Sequence, residues 1–180
     1  MSGRKIIKKV CILGDPAVGK TSLVGRYVHR QFGEEYLSTI GASVCEKRVE
    51  LEQAGGNVTV DLVIWDIAGQ NQFTSITPSF YRGAEGALLV SDPTRRETLR
   101  SMFRWDHQFR QSAASPSAVL LFNKSDLADR WEASREEAEN VARQLGHPHL
   151  FTSARTGEGV EEGFATLVKT MLERQAARKQ

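Results

Sequence analysis

Cysteine is scarce in this chain, with two in 180 residues, and both Cys11 and Cys45 fall inside apolar stretches. A disulfide framework is thereby excluded, and both read as buried structural thiols of a reducing compartment. An excess of charge of one sign is also lacking. Twenty-four Lys and Arg stand against 22 Asp and Glu, a formal charge of +2. That balance gives no argument for nucleic acid as a partner. No apolar run approaches the ~20 residues of a membrane-spanning helix. The basic start MSGRKIIKKV runs into a strand-like segment without a signal-peptide cleavage pattern, so the expected location is cytoplasmic. Repeats, low-complexity tracts and interdomain linkers are absent. One domain is expected over residues 1–180, with a core at 5–172 and a short polar tail at 173–180. His147-Pro148-His149 has no Cys or carboxylate cluster beside it and is not read as a metal site, and His29 and His107 read as surface positions. No Ser–His–Asp or Cys–His set can be assembled.

The rest of the composition is that of an ordinary globular domain, 40% hydrophobic and 26% charged. Strand-like runs alternate with helical patterns along the whole chain, which points to an α/β layered fold. KKVCILG (8–14), GALLVSD (86–92) and AVLLFNKSD (118–126) contain short continuous apolar runs, as strands buried on both faces do. SVCEKRVEL and VTVDLVIWD are joined by EQAGGN, where Gly55, Gly56 and Asn57 tolerate a tight turn, so this pair is expected to be antiparallel. A last short strand in HLFTSA precedes a helix whose apolar face is Val160, Phe164, Leu167, Val168, Met171 and Leu172. The closing RQAARKQ is expected to fray.

GDPAVGKT (14–21) follows a predicted strand and opens a predicted helix. Its spacing, Gly14-x-x-x-x-Gly19-Lys20-Thr21, is that of a loop whose backbone N–H groups cradle phosphates. Lys20 would reach the β- and γ-phosphates, and the Thr21 hydroxyl would ligate Mg²⁺. Asp66-Ile67-Ala68-Gly69-Gln70 ends another strand. It supplies a carboxylate for Mg²⁺ and, in Gly69, an N–H for a γ-phosphate. Thr39 lies in the polar stretch YLSTIG, able to offer the metal a second hydroxyl, although a lone loop threonine is in itself unremarkable.

Asn123-Lys124-Ser125-Asp126 follows the strand AVLLF, at the carboxyl end where open α/β sheets bind ligands. Guanine presents N1–H and an exocyclic amine side by side, and the Asp126 carboxylate can accept both; adenine lacks that pair. Asn123 would tie this loop to the phosphate loop, and the Lys124 stem would cover one face of the base. Ser153-Ala154 would offer backbone N–H to the guanine O6. Alone, NKSD reads more readily as a solvated turn; in order with the other motifs it does not.

GDPAVGKT, STIG, WDIAGQ, SITPSFYRGAEG, VSDPTRRET, NKSD and TSA together resemble the Ras superfamily of small GTPases, and within it the Rab-like branch, over residues 5–172. The resemblance implies a P-loop NTPase fold of the small G-protein type. That is a six-stranded, mostly parallel sheet with one antiparallel edge strand and five flanking helices. It implies GTP and GDP binding with Mg²⁺, slow hydrolysis, and two segments, 33–42 and 67–80, that order around the γ-phosphate. Effectors, exchange factors and activating proteins would recognise those segments. Carried over by position, Gly14, Asp15, Ala17, Val18, Gly19, Lys20, Thr21 and Ser22 would line the phosphates. Phe32 would pack on the guanine edge and Tyr36 would lid the phosphates. Asn123, Lys124, Asp126, Ser153, Ala154 and Arg155 would form the base site. The catalytic set would be Gln70, which orients the attacking water, with Lys20, Thr39 and Gly69; Thr21, Thr39 and Asp66 would hold the metal.

Three features depart from the pattern. Pro16 stands where relatives commonly carry Gly or Ser, near the γ-phosphate and Gln70, and it alone supports a rival reading as a nucleotide-holding scaffold with impaired catalysis. Val44, Trp65 and Phe80 occupy the positions of an effector-contacting aromatic triad, with two aromatics rather than three, and Trp65 also suits plain strand packing. RQAARKQ carries no cysteine for prenylation, and Ser2 replaces the glycine that myristoylation requires. No lipid anchor is therefore expected in this chain: either a lipidation signal was trimmed or the protein does not anchor itself to membranes. Arg4, Lys5, Lys8, Lys9, Arg174, Arg178 and Lys179 read as a solvated basic fringe, capable at most of weak peripheral membrane contact.

Overall fold

A computed structural model of the protein describes residues 4–30, 41–53, 56–69, 77–112 and 116–178. The chain order is β1 (Arg4–Leu13), α1 (Lys20–His29), β2 (Ala42–Gln53), β3 (Gly56–Ile67), α2 (Thr77–Tyr81), β4 (Gly86–Ser91), α3 (Arg96–Ser112), β5 (Ser117–Phe122), α4 (Arg135–Leu145), β6 (His149–Phe151) and α5 (Val160–Ala177). A 3₁₀ turn, Ser125–Arg130, follows β5. The strands form one sheet in the order β2-β3-β1-β4-β5-β6, parallel throughout except for the β2/β3 pair.

Strand alternation divides the core into two layers. Val10, Ile12, Leu88, Val90, Val119 and Leu121 face α1 and α5, meeting Leu23, Tyr27, Phe164, Leu167 and Val168. There Tyr27 and Phe164 stack with ring centroids 3.8 Å apart. Cys11, Leu13, Ala87, Leu89, Leu120 and Phe122 face the other way, onto Leu99, Met102, Trp105 and Phe109 of α3 and Ala138 and Ala142 of α4. The 3–4-residue spacing of those α3 side chains explains the helix, because only a helix aligns them on one face. β4 and β5 are buried at every position, which is why they read as unbroken apolar runs.

Several expectations from the sequence shift. β1 begins at Arg4, earlier than the apolar run, because it pairs with β3 from Arg4↔Val58 onward. Gly56 and Asn57 belong to β3, opposite Gln53 and Glu52, so the hairpin turn falls at 54–55, outside the described residues. Helix α5 continues through the polar residues to Ala177, so the tail expected to fray is largely helical. Cys11 is buried, and burial pushes its thiol up to about 12. Cys45 is only half-buried, since β2 is the sheet edge. The basic fringe is not free either. Lys8 is 2% exposed and paired with Glu85, Lys5 pairs with Asp61, and Lys9 donates to the Arg82 carbonyl. Arg174 donates to the Pro116 carbonyl at 2.5 Å. Among the described residues no helix is long and apolar enough to cross a membrane, and no cluster of three His, Cys, Asp or Glu is poised for a metal. His147 instead pairs with Asp106 at 2.7 Å.

Candidate functional site at the carboxyl edge of the sheet

β1 is the strand at which the sheet order changes direction, with β3 on one side and β4 on the other. Parallel strands deliver their carboxyl ends to one edge, so the segments that follow β1, β3, β4, β5 and β6 converge there. Such an edge is where doubly wound sheets take ligands. Ile12 is paired with Asp66 and Ser91 with Phe122, which sets the phosphate loop beside Asp66 and Asp92 beside Asn123.

The loop after β1 wraps around Lys20. Its ammonium donates to the carbonyls of Gly14 at 2.9 Å and Asp15 at 2.8 Å. Lys20 is 6% exposed, and burial lowers its pKa to about 8 against the opposing pull of Asp66 and Asp15. No described carboxylate lies within ion-pair distance of it. A buried cation with only carbonyl partners is a place that favours an anion. Gly19 caps α1 with φ 102°, and a Cβ there would sit 2.3 Å from Asn123 Nδ2. Ala17, at φ 61°, takes a left-handed conformation without being glycine. Ser22 is half-buried in the first turn of α1.

Asp66, the last residue but one of β3, is 2% exposed. The Thr21 hydroxyl donates to its Oδ2, while Oδ1 has no hydrogen-bond partner among the described residues. Burial raises the pKa of the carboxyl, partly offset by Thr21 and Lys20. An unpartnered, buried carboxylate oxygen beside a hydroxyl is a hard-oxygen donor set that fits Mg²⁺. Gly69 packs directly on the phosphate loop: a Cβ would lie 2.5 Å from the Asp15 carbonyl carbon and Gly14 oxygen and 2.6 Å from Pro16 N. Thr39, Gln70, Phe32 and Tyr36 lie outside the described residues.

The base loops are tied to this centre. Asn123, 1% exposed, donates from Nδ2 to the Val18 carbonyl at 2.9 Å. Its Oδ1 accepts from the Thr152 hydroxyl and the Ala154 N–H, each at 3.2 Å. Asp126 is half-buried; its Oδ1 accepts from the Ser153 hydroxyl at 2.7 Å, and Oδ2 lies 3.9 Å from Arg155. Of the Ser153-Ala154 pair expected to offer backbone N–H to the guanine O6, the two N–H groups are placed differently. Ser153 N–H is committed to the Glu158 carbonyl at 2.9 Å, which leaves the longer Ala154 bond as the one available for exchange. Lys124 sits at φ 63° with its ammonium 2.6 Å from Asp92 Oδ2, an ion pair rather than an aligned hydrogen bond.

Residues outside the phosphate, metal and base motifs hold these loops in place. Trp105 Nε1 and Arg104 Nη2, both from α3, reach Asp15 Oδ1 at 2.9 Å. Arg95 Nη2 donates to the Pro16 carbonyl at 2.8 Å. Arg26 of α1 donates to the Ala154 carbonyl at 2.8 Å and to the Arg155 carbonyl. In the sequence, Trp105 reads as one more apolar helix position, and the arginines as surface charge. Only VSDPTRRET, which contains Arg95, carried a signal.

Val44 on β2 lies opposite Trp65 on β3 and is 49% exposed. Phe80 of α2 meets Trp65 with ring centroids 6.0 Å apart, and the Lys9 ammonium sits 4.1 Å over the Trp65 ring. Trp65 and Phe80 pack at the margin of the α3-side core, so Trp65 serves strand packing and surface at once.

The Ras family model matches residues 9–173. The mouse Ras-related protein Rab-21 is 36% identical over 173 residues, which cover 96% of this chain and 76% of that protein. The human Ras-related protein Rab-27B is 36% identical over 174 residues, covering 92% of this chain and 80% of that protein. The order of the motifs, the sheet and these matches agree, and the chain belongs to the Ras family as a Rab-like small GTPase.

Proposed function

We propose that this protein is a GTP-binding molecular switch that hydrolyses GTP to GDP and phosphate. The observation that carries the reading is Lys20: a buried ammonium whose partners among the described residues are the carbonyls of Gly14 and Asp15 alone. A triphosphate supplies the missing negative charge. Asp126 accepts guanine N1–H and the exocyclic amine, and Ala154 N–H exchanges Asn123 for the guanine O6. A site built around that donor pair rejects adenine, whose edge leaves the carboxylate unpaired. Phe32 would pack on the base and Tyr36 would cover the phosphates.

For hydrolysis, Gln70 orients a water whose oxygen attacks the γ-phosphorus as the bond to the β-γ bridging oxygen breaks. Lys20, Gly69 N–H and the loop amides take up charge that develops on the phosphate oxygens. Thr21 and Asp66, joined by Thr39, would hold Mg²⁺, which when bound neutralises charge across the β- and γ-phosphates. Effectors, exchange factors and activating proteins would read residues 33–42 and 67–80, with Val44, Trp65 and Phe80 alongside.

Single-turnover conversion of bound GTP, followed beside Gln70→Leu, tests the chemistry. Conversion over minutes to hours that the substitution slows is expected. Tight binding without turnover in either protein would replace the switch with the scaffold that Pro16 suggests. Asp126→Asn should abolish the preference for guanine over adenine nucleotides, and unchanged selectivity would reject the base site.

A further inference from the structure

Between Gly14 and Gly19 the phosphate loop contains no glycine. Pro16 has no amide hydrogen and a fixed φ, and Ala17 is held at φ 61°, which its Cβ disfavours. The peptide between them is therefore in a conformation that the local sequence does not choose. Its carbonyl accepts Arg95 Nη2 at 2.8 Å.

Arg95 is itself fixed. Its N–H donates to the Asp92 carbonyl at 2.9 Å, and its carbonyl accepts from the Thr98 hydroxyl at 2.8 Å. Its Nε lies 3.6 Å from Asp92 Oδ2, the same oxygen that faces the Lys124 ammonium. The neighbouring Asp15 is anchored separately by Trp105 and Arg104. Among the described residues the Pro16–Ala17 peptide is thus pinned by one side chain, on an elbow that links the phosphate loop to the base loop.

In a trans peptide the carbonyl and the N–H point in opposite directions. A donor held at Pro16 O therefore fixes the Ala17 N–H on the side of the peptide away from Arg95. A cationic donor also polarises the peptide, and so strengthens that N–H as a donor. We infer that Arg95 is a positioning residue that holds the Ala17 N–H towards the nucleotide phosphates, so that a loop with Pro16 and Ala17 in place of flexible residues retains its ligand. This rests on the nucleotide reading above, and it assigns a residue outside the phosphate, metal and base motifs.

The test measures dissociation of a ribose-labelled fluorescent GDP in the wild type, Arg95→Ala, Ala17→Gly and the double variant, with melting temperature recorded for each. Arg95→Ala is expected to speed release about tenfold, the size of one charge-assisted hydrogen bond at a partly exposed site. Glycine is at ease at φ 61°, so the same change should matter several-fold less in the Ala17→Gly background. Equal losses in both backgrounds would mean that Arg95 does not act through the peptide and would overturn the inference. So would an unchanged release rate in Arg95→Ala while the wild type binds. Failure of the wild type to bind any guanine nucleotide would reject the nucleotide reading and this inference with it. Should Arg95→Ala melt below the assay temperature, Arg95→Lys, which keeps a cationic donor, is expected to release nucleotide at a rate near wild type. Release from Arg95→Lys about tenfold faster than from the wild type would overturn the inference there too.

Discussion

Gly69 is where the end of β3 touches the phosphate loop, and its missing side chain is a structural requirement. Adding a Cβ places carbon 2.5 Å from two backbone atoms of Gly14 and Asp15 and 2.6 Å from Pro16 N. None of these is the movable end of a side chain, so Gly69→Ala has to push the loop and the strand end apart. A displacement of that size beside the reacting phosphate costs about a hundredfold in rate when positioning is what catalysis depends on. Single-turnover hydrolysis should fall by about that factor, while GDP affinity, which rests on Lys20 and the base loops, should change much less. Equal loss of both would show that Gly69 serves the fold rather than the chemistry. At this scale the sequence is informative where function needs a contiguous string: GDPAVGKT, DIAGQ and NKSD each carry their spacing within a few residues. It is uninformative for the contacts of Arg26, Arg104 and Trp105, and for Arg95 it offers only a place in VSDPTRRET without its contact. Their contacts with the loops span from 79 to 129 positions, and no local pattern encodes them.

Among elements, the junction of α3 with the α4–β6 connection is held by a charged latch. Asp106 accepts from Arg110 Nε at 2.7 Å and faces His147 Nε2 at 2.7 Å; Arg110 also reaches the Leu145 carbonyl at 3.3 Å. Burial acts to raise the Asp106 pKa, but the hydrogen bonds and charges of His147 and Arg110 outweigh it and hold the carboxyl below its usual range. A carboxyl depressed in the folded state contributes stability above its unfolded value of about 4. That contribution is lost as pH falls below this value. Thermal melting of the wild type should therefore drop through the acid range, and Asp106→Asn should melt lower at neutral pH with a shallower acid decline. Parallel acid limbs would show that the latch does not titrate with folding. The same junction shows what periodicity reveals and what it omits. Helices α3 and α5 and strands β4 and β5 announce themselves because one face, or both, is apolar. The HPH segment after α4 gave no hint of its role, since His147 needs Asp106, 41 residues earlier, to have a meaning.

For the whole molecule, the arrangement trades stability for ligand binding. Five segments meet at one sheet edge, and they bring with them a buried ammonium and a buried carboxylate oxygen that, among the described residues, have no carboxylate partner and no donor respectively. Each is unfavourable in the empty fold, and each is compensated when phosphates and a cation arrive. Ligand that binds only the folded state adds RT ln(1 + [L]/Kd), about 4 kcal/mol at a thousandfold excess over Kd. For a chain of this size that corresponds to a rise in melting temperature of about 10 °C. GDP with Mg²⁺ should give a shift of that order, chelation of the metal should reduce it, and ADP should give none. Lys20→Met separates the two roles of the lysine. It removes the charge and keeps an apolar stem of similar length. The nucleotide-free variant should melt no lower than the wild type, while its GDP shift disappears. A variant that melts lower without nucleotide would mean that the carbonyls of Gly14 and Asp15 already satisfy the ammonium. The molecule would then not be storing an unfilled site for an anion, and the strongest structural argument for a bound triphosphate would be lost.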